Sequence, residues 1–240
     1  MRSLRILGWI WVCVLGLGLA AAWPEAQYPE ALQHLPGDVL ATYYLLLPPD
    51  YQRTLDYPLL ISLHGAGEKG NRMVRYWKES AAHHNVILCC PNSSGASWAQ
   101  PDMLRMIQIT EHVLKNYSAD RKRILLSGIS AGGAVTYLLG FTIPVLYPYL
   151  NPMSAAFGDS YLKLLKDAEK RPLYITHGAK DNLISPAEGG ALAAKVLKEN
   201  GFDVSYVERP NDGHQVPEGE QENILNWFEQ ECAKEAAKGP

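Results

Sequence analysis

The chain has 240 residues, of which 47% are hydrophobic and 20% charged, and a formal net charge of −3. That length holds one large α/β unit with a sizeable core. The slight acidic balance excludes the basic surface that nucleic-acid binding needs, and there is no internal repeat of the kind that marks a solenoid.

At the N-terminus, Arg2 and Arg5 precede a charge-free stretch over residues 6–22. It ends in Ala20-Ala21-Ala22, before Trp23-Pro24. A basic start, an apolar middle and a small-residue exit predict a secretory signal peptide over residues 1–22, cleaved after Ala22. One domain over residues 23–240 follows, secreted or periplasmic. The alternative is an uncleaved membrane anchor, although about 17 apolar residues is the short limit for crossing a bilayer. Cys13 lies inside the apolar run with no small-residue box before it, which argues against a lipoprotein signal.

Residues 23–37, rich in Pro, Glu and Gln, read as a surface lead-in. Residues 39–47 read as a strand stopped by Pro48-Pro49. Short apolar runs follow at 58–63, 86–90, 124–126, 173–176 and 204–207, with a further strand expected near 151–156. Such runs suit strands covered on both faces, as in a parallel sheet. Between them lie helical patterns, one through Met103, Ile107, Val113 and Leu114, others over 131–139 and 160–169. Ser185-Pro186 opens another as N-cap and first helical residue, and Gly201 closes it. Ile224, Leu225, Trp227 and Phe228 mark the last. The alternation predicts an α/β fold, a mostly parallel central sheet with helices on both faces. The segment between residue 140 and Asp181 is too short for a lid of two or more helices. Cys89 and Cys90, as strand neighbours, point to opposite faces; with Cys232 they leave an odd number of thiols after cleavage. His83-His84 ends a helical stretch without partner ligands in sequence, so no metal site is expected. No glycine motif precedes a Lys-Ser/Thr pair, so nucleotide chemistry is unsupported.

Gly128-Ile129-Ser130-Ala131-Gly132 matches G-x-S-x-G and lies between a strand and a helical run. A serine on so sharp a turn is strained and lifted above the sheet edge, and the glycines two positions either side remove the side chains that would collide. Its hydroxyl needs a base, and the base an orienting acid, in the chain order Ser, Asp or Glu, His. Two histidines follow it. His177 ends a strand ahead of any suitable acid and reads as a packing residue. His214 lies in a loop before the last helix and reads as the base. Asp181 follows a strand at the carboxyl edge of the sheet, where sites collect. It is the preferred acid; Asp212 is the alternative, although its place beside Gly213 favours a turn role. Asp159 and Asp167 read as solvated, and Asp203 lies at the opposite edge. The oxyanion hole needs two backbone N–H donors. Ala131 supplies one, and Ala66, in His64-Gly65-Ala66-Gly67-Glu68, the other. Trp98 reads either as a substrate-stacking residue or as simple packing.

These residues resemble a known group. Leu63-His64-Gly65-Ala66-Gly67, Gly128-Ile129-Ser130-Ala131-Gly132-Gly133, Gly178-Ala179-Lys180-Asp181 and Asp212-Gly213-His214-Gln215-Val216-Pro217 together look like the phospholipase/carboxylesterase group of α/β hydrolases. They are similar too to feruloyl- and acetyl-esterases and polyhydroxybutyrate-depolymerase-like enzymes. The resemblance runs from about Tyr43 to Phe228 and implies a triad of Ser130, Asp181 and His214. The expected activity is hydrolysis of carboxylic esters through an acyl-enzyme, with no cofactor. The expected substrate is a small-molecule or carbohydrate-linked ester with a short or aromatic acyl group, taken in an open site bordered by residues 65–71 and 93–98 and rimmed by Tyr147, Pro148 and Tyr149. Rival readings are a peptidase of the prolyl-oligopeptidase type and a non-catalytic binding module on the same fold. No nucleic-acid partner and no stable membrane insertion after cleavage are expected.

Overall fold

The structure, a computed structural model, describes residues 32–166 and 168–239. The expected signal peptide, with Cys13, and Asp167 lie outside them. Eight strands form one sheet: β1 (Leu32–Leu35), β2 (Asp38–Leu46), β3 (Tyr57–Leu63), β4 (Ile87–Pro91), β5 (Ala119–Ile129), β6 (Tyr149–Met153), β7 (Pro172–Gly178) and β8 (Asp203–Arg209). Their order is β1-β2-β4-β3-β5-β6-β7-β8. β1 and β2 run antiparallel to their neighbours, and the remaining pairs are parallel. The near-continuous apolar runs of the central strands follow from cover on both faces; Leu59, Leu60 and Ile61 are all fully buried.

The helices are α1 (Gly70–His83), α2 (Gln100–Asn116), α3 (Ala131–Thr142), α4 (Asp159–Leu162), α5 (Gly190–Glu199) and α6 (Gln221–Ala237). Two hydrophobic layers result. On one face α2, α3 and α5 pack Ile109, Val135, Tyr137 and Leu197 against the sheet. On the other, α1 and α6 pack Trp77, Met73, Ile224 and Phe228. Each fully buried side chain of this size stabilises the fold by roughly 1.5–3 kcal/mol. Cys89 and Cys90 enter opposite layers, as their adjacency requires, and both are free thiols. Among the described residues no helix is long and apolar enough to cross a membrane.

Three expectations are corrected. The lead-in over residues 23–37 contains a strand, β1, which pairs with β2 across a tight turn at Gly37, where φ is +88°. Four residues with half-exposed side chains carry too little apolar signal to mark it. The helix expected over 160–169 closes only one turn, α4. The third concerns Ser185-Pro186, which opens a three-residue 3₁₀ turn, Pro186–Glu188, rather than α5. The backbone breaks at Gly189, and α5 starts at Gly190, whose N–H donates to His177 Nδ1 at 3.0 Å. A side chain at Gly189 would meet the His177 ring at 2.5 Å, so the buried imidazole sets where the helix begins.

The chain goes from β4 across β3 to β5, so strand order reverses there. Ligand sites in open α/β sheets lie outside the carboxyl ends of the strands flanking such a reversal. Residues 64–69 leave β3 at that point, and Ser130 leaves β5.

Candidate functional site

Ser130 sits between β5 and α3 with φ 53° and ψ −116°, in a region that non-glycine residues rarely occupy. The strain is held by close backbone contact. A Cβ on Gly128 would collide with the Gly132 carbonyl, and one on Gly132 would lie 2.5 Å from Leu63 O and 2.7 Å from His64 O. The elbow is thus pressed directly onto the end of β3. Ser130 N–H donates to Met153 O at 2.9 Å, tying the turn to β6 as well.

His214 and Asp181 reach this serine from two other loops. The Ser130 hydroxyl donates to His214 Nε2 at 2.9 Å, and His214 Nδ1–H donates to Asp181 Oδ2 at 2.7 Å. Asp181 is buried, while the His214 side chain is 18% exposed. Burial alone would raise the Asp181 carboxyl, but N–H groups of Ile184 and Leu183 on Oδ1 and the His214 contact outweigh it and hold it below the usual carboxylate range. Asp212 takes the other role considered for it. Its carboxylate accepts from Arg209 Nε at 3.0 Å, and its carbonyl accepts from Lys180 N–H. His177 is buried, as a packing histidine should be, and its Nε2–H donates to Ile184 O at 2.8 Å. It also lies 3.3 Å from Asp181 Oδ2, a contact that its sequence position does not announce. Asp159 begins α4, and Asp203 begins β8 at the far edge.

The turn after β3 faces the elbow. His64 is fully buried, and burial lowers its basicity. Its Nδ1–H donates to Gly65 O at 2.7 Å, and its Nε2 accepts from Ser93 N–H at 3.0 Å. The backbone bonds of this turn use Gly65 N–H, on Glu68 Oε2 at 3.1 Å, Gly67 N–H, on Ala96 O at 2.6 Å, and Glu68 N–H. None of them uses Ala66 N–H. Ala131 is the first residue of α3, where N–H groups lack helical partners. Ala131 directly follows the serine, and the turn that carries Ala66 approaches it at Gly65, where an added Cβ would lie 3.8 Å from Ser130 Cβ.

A groove of about 430 Å³ runs past Ala131 between Trp98, Met103, Val135, Leu138 and Tyr161. Trp98 lines this groove, and it packs on His64 with ring centroids 4.7 Å apart, its Nε1–H donating to His64 O. Of the two segments expected as borders, Gly65 approaches Ser130 and Ser97-Trp98 line the groove; the segments are joined by the Gly67–Ala96 bond and by Lys69 Nζ, which donates to Ser93 O at 3.1 Å. Tyr147 and Tyr149 do not rim it. Tyr147 is fully buried with its hydroxyl on Thr110, and Tyr149 is buried in β6. The rim comes instead from Tyr161, whose hydroxyl donates to Ala134 O.

Other supporting residues gave little sequence signal. Arg209 ties the His214 loop together, with Nη1 on Glu220 Oε2 at 2.8 Å and Nη2 on Glu218 O. Asp102 is buried near the start of α2 and accepts from Ala99 N–H at 2.9 Å and Ser94 N–H at 3.2 Å, holding the Trp98 loop. The Ala99–Asp102 spacing is the one available clue, since a carboxylate three residues into a helix reaches back to its start. The expectation that His83-His84 has no neighbouring ligand is also corrected: α6 brings Glu222 and Glu229 against the pair.

No protein-family model matches the chain. It is 28% identical over 184 residues to a probable feruloyl esterase C of Aspergillus terreus, covering 71% of this chain and 66% of that protein. It is 34% identical over 103 residues to an acyl-protein thioesterase 1 of Gibberella zeae, covering 40% of this chain and 43% of that one. In structure it is similar to a thermostable esterase, with a TM-score of 0.63 at 24% identity over 87% of this chain and 62% of the other. The chain thus spans just under two thirds of the length of the feruloyl esterase and of the thermostable esterase.

Proposed function

We propose that this chain, which has the α/β-hydrolase fold, is a serine-dependent hydrolase of carboxylic esters. The observation that carries the reading is the continuous hydrogen-bonded line from Ser130 through His214 to Asp181, with the serine on a strained strand-to-helix turn. His214 takes the Ser130 proton as Oγ attacks the acyl carbonyl. The imidazolium is stabilised by the Asp181 carboxylate, which also keeps Nδ1 protonated and Nε2 free to accept. The N–H groups of Ala66 and Ala131 hold the developing oxyanion. His214 then protonates the leaving alcohol, and water repeats the sequence on the acyl-enzyme.

The acyl group rests in the groove beside Ala131, with Trp98 and Tyr161 as its aromatic walls. Its size and open end fit acetyl, butyryl or aryl-acyl groups better than a long alkyl chain, which gains roughly 0.8 kcal/mol only for each methylene actually buried. Residues 1–22 direct export and are removed, leaving the hydrolase over 23–240. Sequencing the N-terminus of secreted protein tests that part.

A fluorophosphonate probe and a p-nitrophenyl ester series test the rest. Ser130→Ala should abolish labelling and lower kcat by at least about 10,000-fold with an unchanged melting temperature. Retention of more than a tenth of the activity overturns the assignment, and kcat/KM rising steadily from acetate to palmitate overturns the groove. Thioester substrates belong in the series because of the likeness to an acyl-protein thioesterase: a preference for them moves the substrate class and leaves the machinery in place.

A further inference from the structure

We infer that His83, His84 and Glu222 form a binding site for a divalent metal ion of the zinc class, on the face of the molecule where α1 meets α6. The site is separate from the serine centre and rests on nothing proposed for it. His83 Nδ1 and His84 Nε2 lie 3.1 and 3.0 Å from the same carboxylate oxygen, Glu222 Oε2. All three donor atoms fall within 4.8 Å of one another. Ligands at 2.0–2.2 Å around a tetrahedral ion stand about 3.3–3.6 Å apart, so small side-chain shifts admit the ion.

The pattern of contacts argues for a cation. His84 Nδ1 faces a second carboxylate, Glu229 Oε1, at 2.8 Å. An imidazole that donates Nδ1–H to Glu229 turns its Nε2 lone pair towards the Glu222 oxygen. Two lone pairs at 3.0 Å repel unless a positive particle lies between them. A proton on each facing nitrogen relieves the repulsion in the metal-free protein, and one metal ion bound between the two imidazoles and the carboxylate relieves it for both at once. The carboxylate on the far ring nitrogen is the outer support that metal-bound histidines characteristically have; it fixes the tautomer and raises the basicity of the ligating nitrogen. Two imidazoles and a carboxylate suit zinc better than calcium or magnesium, which prefer oxygen.

The local fold makes the pair available. His83 is the last residue of α1 and His84 is its C-cap, where the chain leaves helical geometry, so two consecutive side chains can turn to one point. The His84 side chain is only 7% exposed, whereas those of His83 and Glu222 are 69% and 45% exposed. The inner ligand is therefore fixed, and the outer side is open for water to complete the shell. A bound ion cross-links the two helices that cover this face of the sheet.

Calorimetric titration of zinc chloride into EDTA-treated full-length protein without a polyhistidine tag tests the site. One site of about micromolar Kd is expected. Glu222→Gln and His84→Gln should each weaken it by more than about tenfold, and Glu229→Gln by about 10–100-fold through the outer shell alone. His34→Gln, an exposed histidine on β1, should leave it unchanged. Cobalt(II) provides a test free of substitutions: wild-type protein should develop visible absorption bands that zinc abolishes. No saturable zinc binding, binding indifferent to Glu222→Gln, or no cobalt bands would each overturn the proposal. Circular dichroism melts of the variants separate loss of a ligand from loss of the fold.

Discussion

The elbow that carries Ser130 and the loop that carries His214 face each other across one hydrogen bond, yet they are held by different physics. The elbow is held by shape. Gly128 and Gly132 let backbone press on backbone at the turn. The histidine loop is held by charge: Arg209 reaches Asp212, Glu220 and the Glu218 carbonyl, and Tyr174 donates to the same Glu220 at 2.6 Å. A proposed nucleophile has to be placed once and kept there. A proposed base has to move a proton and tolerate a change of charge, which a hydrogen-bonded loop allows more readily than a close-packed turn.

The sharpest way to break the first region is to add volume. Gly132→Ala puts a methyl group 2.5 Å from Leu63 O and 2.7 Å from His64 O, both backbone atoms that cannot rotate away. The elbow must lift from β3, moving Ser130 relative to the Ala66 N–H. A displacement near 1 Å costs about 100-fold in rate, and overpacking of this kind costs about 1–3 kcal/mol in stability. Ester hydrolysis and thermal denaturation of the purified variant read both. Activity within twofold of wild type would show that shape is not what holds the turn.

The second region breaks by loss of charge. Arg209→Ala removes three hydrogen bonds and leaves the buried Glu220 carboxylate with Tyr174 and Asn223 as its remaining side-chain partners. The expected cost is about 1–3 kcal/mol of stability. Since the His214 loop loosens while the elbow and groove stay intact, kcat should fall about tenfold with little change in KM. Arg209→Lys should recover only part of this, because an ammonium cannot reproduce the fork of donors. An equal loss in kcat and stability for Gly132→Ala and Arg209→Ala, with the same KM change, would erase the distinction between the regions.

The same difference explains what could be read from the sequence. The elbow was legible because a steric requirement falls on fixed neighbours: glycine two places either side of the serine, a strand before and a helix after. The parallel sheet was legible for a related reason, since burial on both faces writes itself as continuous apolar runs such as Leu59-Leu60-Ile61. The supports of the histidine loop were not legible. Arg209 finds Glu220 eleven residues on, and His177 meets Asp181 across the tight turn that follows β7, where Asp181 N–H donates to Gly178 O. Tyr147 failed as a rim residue because an aromatic next to a proline carries no sign of which side of a strand it joins. Glu222 and Glu229 meet His83-His84 across about 140 residues, and no local pattern foretells that approach.

The smallest expected effect separates the regions by pH. The Trp98 loop, like the histidine loop, hangs on a carboxylate, Asp102. Burial pushes that carboxyl up, but the N–H groups of Ala99 and Ser94 and the Arg105 guanidinium outweigh it and hold it below its ordinary value. Asp181 is held low in the same manner. A carboxyl whose folded pKa lies below its unfolded value, about 3.9, stabilises the fold fully above that value. The contribution disappears as pH falls through the lower, folded value. Asp102→Asn keeps the volume but loses charge-assisted acceptance at the start of α2, and should cost about 1 kcal/mol at pH 7. The gap between variant and wild type should stay constant from pH 7 to about pH 5 and close below pH 4. The backbone contacts that Gly128 and Gly132 make in the elbow involve no titratable group, so they do not change with pH. Amide hydrogen exchange on wild-type protein should show protection falling first at residues 93–99 and 181–184 as the pH drops below about 4, while residues 127–134 keep theirs until the whole fold opens. Simultaneous loss of protection in all three segments would mean that the loops and the elbow share one support, and that shape and charge do not divide the site between them.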